Sequence, residues 1–189
     1  MKKSMPWIRC AGFLVGLAVI LGICDFCFAP SGYVRFILHE VNRKDTQYDT
    51  IILGASHARS AINPEYLDEE LGTNTLNLAI PGETVKDAYY LLKDACESND
   101  VKTVIMDVDY QYWMDEQPQG YFTEPFICQN ITNLKVKTEY LLDNWDTIDL
   151  RNVLVRRLSW DCTWSSVKQN ISTKMTEAYR EYSIEAAGV

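Results

Sequence analysis

The sequence is poor in the residues that most often act as bases or bind metals. Among its 189 residues are only two histidines, His39 and His57. A mechanism that needs a histidine base must therefore use one of these two or take its base from outside the chain. Of the six cysteines, only Cys24 and Cys27 have the CxxC spacing, and no second pair accompanies them. A zinc site usually needs four such ligands, so we expect neither a metal nor another cofactor.

The sequence also has fewer basic than acidic residues. The chain has 18 lysines and arginines against 26 acidic residues, which gives a formal net charge of -8. Nucleic-acid-binding domains are typically basic, so this balance argues against a nucleic-acid partner. An acidic composition suits a domain exported from the cytoplasm. The length is enough for one domain with a substantial core.

An apolar segment lies close to the amino end. Lys2, Lys3 and Arg9 precede residues 10–24, which carry no charge. With its apolar neighbours the segment approaches the ~20 residues that cross a bilayer. The positive-inside rule then places the amino end in the cytoplasm and the chain beyond residue 30 outside it. A cleaved signal peptide is an alternative, although Pro30 directly follows Ala29 at the best cleavage site. A buried core helix is the third possibility.

Three segments are therefore expected: an anchor over residues 1–30, a connector over 31–47 and a domain over 48–189. In the connector, Val34, Ile37, Leu38 and Val41 recur at helical intervals, which predicts a short amphipathic helix. We expect His39 to lie on the surface of that helix.

The domain begins with alternating strand and helix patterns. Strands are predicted over residues 48–53, 75–80 and 101–108, and helices begin at Pro64 and near Thr84. This order predicts a parallel sheet with helices on both faces, a three-layer, flavodoxin-like α/β fold. The apolar run in the third strand predicts burial on both of its faces. Three strands are few for such a sheet, so we expect it to be incomplete.

Beyond Tyr110 the alternation stops. Residues 111–126 are rich in aromatic, proline and acidic residues and predict an ordered loop, and residues 132–145, 149–158 and 164–187 favour helices. Cys128 and Cys162 are a candidate disulfide pair outside the cell. Alternatively, these two and Cys96 are three buried thiols.

Ser56 is the candidate nucleophile. It follows Gly54 at the end of the first strand, where an α/β protein presents ligand-binding and catalytic side chains. Amides at the start of the following helix can hold a developing oxyanion. His57 is a poor base for Ser56, because adjacent side chains at a turn diverge, and we expect it to line the pocket. The alternative is a serine that only caps the helix.

Gly82 is a second candidate, at the end of the second strand. Glycine there lets the backbone approach a ligand, and its amide is a possible second oxyanion donor. The alternative is an ordinary strand-to-helix turn. A ligand-binding flavodoxin-like domain is a third, less favoured option, because the first turn has one glycine and not a phosphate-binding set.

Residues 48–110 resemble the start of an SGNH/GDSL-type hydrolase. The resemblance is closest to the membrane-anchored branch with DltD-like proteins and AlgX/AlgJ-type polysaccharide O-acetyltransferases. The first block stands as Gly54-Ala55-Ser56-His57-Ala58-Arg59, the second as residues 77–82 (NLAIPG), and the third as residues 104–109 (VIMDVD). An apolar helix before the domain also fits this branch.

This resemblance implies an acyltransferase or esterase that acts outside the cytoplasm on a cell-envelope polysaccharide or teichoic acid, with a polymer or an acyl-carrying protein as partner. Ser56 would be the nucleophile, and the amides of Ser56 and Gly82 would be the oxyanion donors. The pocket would be lined by Gly54, His57, Arg59, Asp107 and Asp109.

The Asp-x-x-His pair of the family is missing here, since no histidine follows residue 57. We therefore expect either the amino-terminal part of a longer enzyme or a short member that has lost catalysis, and in both cases a chain that is inactive alone. The rival hypothesis is a non-catalytic envelope protein whose residues 111–126 dock a partner or glycan.

Overall fold

The computed structural model describes residues 6–29, 33–108, 123–146, 148 and 162–176. They form three strands and eight helices within these ranges. In chain order the elements are α1 (Pro6–Phe28), α2 (Tyr33–Glu40), β1 (Thr50–Leu53), α3 (Ser56–Ala61), α4 (Pro64–Leu71), β2 (Thr75–Asn77), α5 (Val85–Ser98), β3 (Thr103–Met106), α6 (Thr123–Asn130), α7 (Leu134–Asp143) and α8 (Trp164–Thr176).

The three strands form a parallel sheet in the order β2-β1-β3. Thr50 on the central strand is aligned with Thr75 on one side and with Thr103 on the other. All four residues of β1 are buried. The predicted α/β fold with a small parallel sheet is therefore confirmed, although each strand is shorter than its sequence pattern suggested.

Helices cover both faces of the sheet. On one face, Ile52 and Ala79 pack with Ala58 of α3, and Leu67 of α4 lies against this cluster. The opposite face carries the larger core, to which β1 contributes Ile51 and Leu53. The helical members of that core come from α2, α5, α6 and α7: Ile37, Leu38, Ala88, Tyr90, Leu91, Ala95, Ile127, Cys128, Val136 and Tyr140. This arrangement is the predicted three-layer one.

The segment predicted as a connector contributes to this core. Ile37, Leu38 and Val41 are fully buried, while His39 is exposed, as predicted. The α2 helix is therefore part of the domain core and is more than a link between the anchor and the sheet.

Burial of β3 on both faces was predicted wrongly. Val104 is 43% exposed and Met106 is 39% exposed. The physical reason is the position of the strand, which lies at the edge of the sheet beyond β1. An apolar run marks a strand, but its burial depends on the neighbours that the strand finds.

The predicted helix starts are confirmed by their caps. Asn63 caps α4, because its side chain accepts a hydrogen bond from Glu65 N, and Pro64 occupies the first helical position. Gly72, at a φ of 67°, ends that helix. Thr84 caps α5 in a reciprocal capping box with Asp87.

After residue 122, one predicted boundary is wrong and two predicted helices are confirmed. The loop predicted to reach residue 126 is wrong at its end, because α6 begins at Thr123. The predicted helices at 132–145 and from Trp164 are confirmed as α7 and α8. Residues 109–122, the helix predicted over 149–158 and the stretch after 176 lie outside the described residues.

The cysteine predictions are also corrected. All six cysteines are free thiols, so the predicted Cys128–Cys162 disulfide is wrong. Cys128 is buried in the core on α6, whereas Cys162 and Cys96 are exposed, so the alternative of three buried thiols holds for Cys128 alone. Burial raises the pKa of the Cys128 thiol to about 11, which makes it a poor nucleophile at neutral pH.

Helix α1 is apolar and is uncovered except at its last turns. Its segment Trp7–Phe28 has a mean hydropathy of 2.3, and none of the most apolar window is buried, so the helix is long and apolar enough to cross a membrane and is not a core helix. Helix α8 packs against its last turns. The Lys174 ammonium donates to the carbonyls of Phe26 and Ala29 at 2.6 Å each, which satisfies acceptors that a helix leaves open at its end.

Asp87 makes the stability of the domain dependent on pH. Its carboxylate is 2% exposed and accepts hydrogen bonds from Tyr140 Oη at 2.6 Å and Thr84 N at 2.8 Å. Burial is the largest effect and raises the pKa of Asp87 above its ordinary value of 3.8. The folded state therefore holds the proton to higher pH than the unfolded state does, and this carboxyl favours folding below pH 3.8. That contribution is lost as the pH rises through the folded pKa.

We accordingly expect Asp87→Asn to weaken the fall in the free energy of unfolding as the pH rises above 3.8. Urea titrations at a series of pH values measure how steeply the free energy of unfolding changes with pH. This slope is compared between the variant and the wild type, whatever their absolute stabilities. Asp100→Asn is the matched control, because Asp100 is exposed and its removal changes the net charge equally. A slope unchanged by Asp87→Asn would contradict the assignment.

Candidate functional site

The carboxyl ends of the three strands meet at one edge, as predicted. The Gly54 carbonyl, directly after β1, accepts a hydrogen bond from Ile80 N at 3.1 Å. On the other side of β1, Asp107 N donates to Leu53 O at 2.9 Å. The site residues Gly54 and Asp107 are thus brought together, while Asp109 lies outside the described residues.

Gly54 is the tightest point of this edge. Its φ of +152° is one that residues with a side chain rarely adopt. A Cβ atom on Gly54 would lie 2.6 Å from Ala58 Cβ and 2.8 Å from Asp107 Cβ. The absent side chain therefore lets α3 and the end of β3 close over the turn.

Ser56 is the first residue of α3, and its side chain is exposed. The residue at the capping position is Ala55. Within the described residues the Ser56 hydroxyl forms no hydrogen bond, so the serine is not a helix cap. The structure places it at the edge of the sheet with its oxygen available to a ligand.

The two histidines differ in their relation to Ser56. His57 is the next residue of α3 and is exposed, while His39 belongs to α2. Neither is hydrogen-bonded to Ser56 in the described part of the chain, so neither histidine is placed there as its base.

Gly82 lies in the turn between β2 and α5. It has a φ of +78°, and Glu83 N closes the turn by donating to Ile80 O at 3.0 Å. A positive φ explains the need for glycine at this position. The role of the Gly82 amide as an oxyanion donor remains a prediction.

Glu83 is a site residue that the sequence reasoning missed. Its side chain is 4% exposed, and its two oxygens accept from two separate turns. Oε1 accepts from Gly54 N and Oε2 from Ile80 N, both at 2.9 Å. The carboxylate therefore ties the turn that presents Ser56 to the end of the neighbouring strand. The available signal was an acidic residue directly after Pro81-Gly82, which is typical of a helix start.

Arg59 lies one turn along α3 from Ser56. Its guanidinium carbon is 4.1 Å from the centroid of the Tyr33 ring, a cation–π contact. The Tyr33 hydroxyl donates to Asn77 O at 3.2 Å, and burial raises the pKa of Tyr33. Arg59 Nε is buried without a hydrogen-bond partner, the one such side-chain atom among the described residues.

Asn77 fixes the far end of α3. Its amide nitrogen donates to Ala58 O at 3.1 Å and to Ile62 O at 3.2 Å, and its oxygen accepts from Ala79 N. The short helix that carries Ser56 and Arg59 is therefore attached to β2 at its carboxyl end. Sequence reasoning gave no role to Asn77 or Tyr33, because their contacts depend on tertiary packing.

No protein-family model, no curated protein and no solved structure matches this chain. Among the described residues, no group of three or more histidine, cysteine, aspartate and glutamate side chains is placed to hold a metal ion. What the site does chemically has to be argued from Ser56 and its neighbours.

Proposed function

We propose that this chain carries the nucleophile of a membrane-anchored serine acyltransferase or esterase of the SGNH type. The observation that supports it best is the placement of Ser56. The serine is exposed, is not used as a helix cap, and follows the central strand at the edge where parallel sheets bind ligands. The tight Gly54 turn and the Glu83 carboxylate hold that position.

In the proposed reaction, Ser56 Oγ attacks the carbonyl carbon of an acyl ester and loses its proton to a general base. The amides of Ser56 and Gly82 donate to the oxyanion that forms. The bond to the leaving alcohol breaks, the base returns the proton to that alcohol, and an acyl-serine remains. A hydroxyl of a cell-envelope polysaccharide or teichoic acid, or water, then attacks the acyl-serine and releases Ser56.

Neither histidine of the chain is proposed as this base. Support for this comes from the histidines, since neither His39 nor His57 is bonded to Ser56 in the described part of the chain. We expect the purified chain to hydrolyse p-nitrophenyl acetate no faster than its Ser56→Ala variant. A Ser56-dependent esterase activity of the chain alone would contradict this part of the proposal.

In this proposal the reaction takes place on the outer side of the cell membrane. The uncovered apolar helix α1 supports an anchor, and Lys2, Lys3 and Arg9 support a cytoplasmic amino end by the positive-inside rule. An acyl-carrying protein or the polymer itself would then meet Ser56 outside the cytoplasm.

Labelling with a fluorophosphonate tests whether Ser56 is an activated nucleophile. We expect membranes from cells that express the natural gene to yield an adduct on the peptide that contains Ser56, reduced at least about tenfold by Ser56→Ala. Ser60→Ala is the matched control, because Ser60 is an exposed serine on the same helix, and it should leave labelling unchanged. A folded, membrane-bound protein that is not labelled at Ser56 would instead support the non-catalytic docking protein.

A further inference from the structure

Helix α8 has an exposed stripe of large side chains along one side. Trp164 near its start is 73% exposed, and Met175 near its end is 72% exposed. Lys168, which is exposed, and Ile171, which is half-buried, stand between them at the intervals that repeat along one side of a helix. Large apolar side chains that are exposed together mark a contact surface.

This helix is bonded to the end of the candidate membrane span. The Asn170 side chain donates to Cys27 O at 3.4 Å, and the Lys174 ammonium donates to two carbonyls at the end of α1. Residues 7–20 of α1 are exposed throughout, and partial cover begins only within residues 21–28. Helix α8 is therefore held at the level where α1 would leave the bilayer.

The side of α8 that packs on α1 is distinct from the stripe. Val167 and Asn170 are buried, and with Lys174 they form the side turned to the protein. At 100° per residue, the exposed stripe from Trp164 to Met175 lies about a quarter of a turn away from this side. The medium that surrounds the end of α1 therefore also reaches the stripe.

The charge of α8 favours a negatively charged surface. In a chain of net charge -8, this helix carries two lysines and no acidic residue. The Lys168 ammonium lies 5.4 Å from the centroid of the Trp164 ring, and none of the ion pairs among the described residues involves Lys168. Tryptophan and lysine are both suited to a membrane interface, where the indole lies at headgroup level and the lysine extends its ammonium toward water.

We propose that α8 is an interfacial helix that rests on the outer surface of the membrane, on anionic phospholipid headgroups. Trp164, Ile171 and Met175 enter the boundary between headgroups and acyl chains, and Lys168 binds a lipid phosphate. The domain thus has a second membrane contact besides α1, which fixes its orientation on the bilayer. This assignment rests on the membrane anchor of the proposed function and is independent of the chemistry of Ser56.

Quenching by brominated lipids tests the contact in the full chain. The protein is reconstituted in vesicles of phosphatidylcholine and phosphatidylglycerol, with or without bromine on the acyl chains. Comparison with Trp164→Phe gives the emission due to Trp164. Bromine should reduce it at least about twofold, because an interfacial helix buries its apolar face about 5–10 Å deep. Trp145→Phe is the matched control, since Trp145 is 64% exposed just after α7, and its emission should not change.

The role of charge is tested by omitting phosphatidylglycerol. Quenching of Trp164 should then weaken. In vesicles that contain phosphatidylglycerol, Lys168→Gln should lower the ratio of docked to undocked α8 about fivefold, the effect of one lysine near an anionic surface. Lys135→Gln, which removes an exposed cation on α7, should behave like the wild type. An equal response of the two lysine variants would contradict the binding of anionic lipid by Lys168.

Trp7 on α1 separates the possible failures, and Trp7→Phe gives its share of the emission. If bromine quenches Trp7 but not Trp164, the assignment of α8 to the membrane surface is wrong while the anchor stands, and the stripe is left to a protein partner. If neither is quenched, the anchor is refuted as well. Equal quenching of Trp145 and Trp164 would also overturn the assignment, because the contact would not be specific to α8. None of these results affects Ser56, whose activation is tested by fluorophosphonate labelling.

Discussion

Replacing Gly54 with alanine is expected to destabilise the domain by about 2–5 kcal/mol, because strain at φ and overpacking add together. The backbone there has a φ of +152°, and the new Cβ would lie 2.6 Å from Ala58 Cβ and 2.8 Å from Asp107 Cβ. Neither neighbour is the free end of a flexible side chain, and Ala58 is buried. The clash can be relieved only if α3 or the end of β3 moves, so Ser56 should be displaced as well.

Urea unfolding of the wild type and the variant measures this loss. Gly72→Ala is the matched control, since Gly72 also has a positive φ, +67°, but has open space where a Cβ would stand. It should cost only about 1 kcal/mol, the price of the left-handed backbone. Similar losses in the two variants would show that crowding against Ala58 and Asp107 does not matter.

The features that sequence predicted well are governed by local interactions. Asn63-Pro64 and Thr84 start helices through contacts within a few residues, and short strands alternating with helices leave little alternative to a parallel sheet. The position of Ser56 was also predictable, because a β-forming run that ends at Gly54 and is followed by a helical pattern indicates a turn there.

The features that it missed depend on distant partners. An apolar run such as that of β3 is typical of central strands and of edge strands alike. Val104 is exposed because β3 pairs with β1 only and therefore lies at the edge of the sheet. The apolar periodicity of α2 likewise fits a surface connector as well as a core helix. Its burial is decided by packing against α6, about 90 residues later in the chain.

The same reason explains the incomplete prediction of the site. Gly54 and Glu83 are separated by 29 residues, and Tyr33 and Asn77 by 44. Gly54, Gly82 and Arg59 were predicted as site residues from their motifs, but the network that holds them is tertiary. The Glu83 carboxylate is the part of that network with the greatest consequence.

Glu83→Ala is expected to cost about 2–4 kcal/mol, because it leaves a buried amide without an acceptor and opens a hole beside the sheet. Gly54 N would lose the acceptor at 2.9 Å, whereas Ile80 N would keep its second acceptor, Gly54 O. Glu83→Gln preserves the size but turns an NH₂ group toward one of the two donors, so about 1–3 kcal/mol should be lost. Urea unfolding measures both changes.

Glu69→Gln is the matched control, since Glu69 is exposed on α4 and its substitution alters the net charge equally; it should remain within about 0.5 kcal/mol of the wild type. The decisive comparison is with the labelling of Ser56. If the Glu83 carboxylate only stabilises the fold, its replacement lowers the free energy of unfolding but leaves the labelling of Ser56 intact wherever the variant is folded. If it also holds the turn that carries Ser56, its replacement lowers the labelling under those same conditions. We expect this second result, because Glu83 bonds directly to Gly54, two residues before the serine.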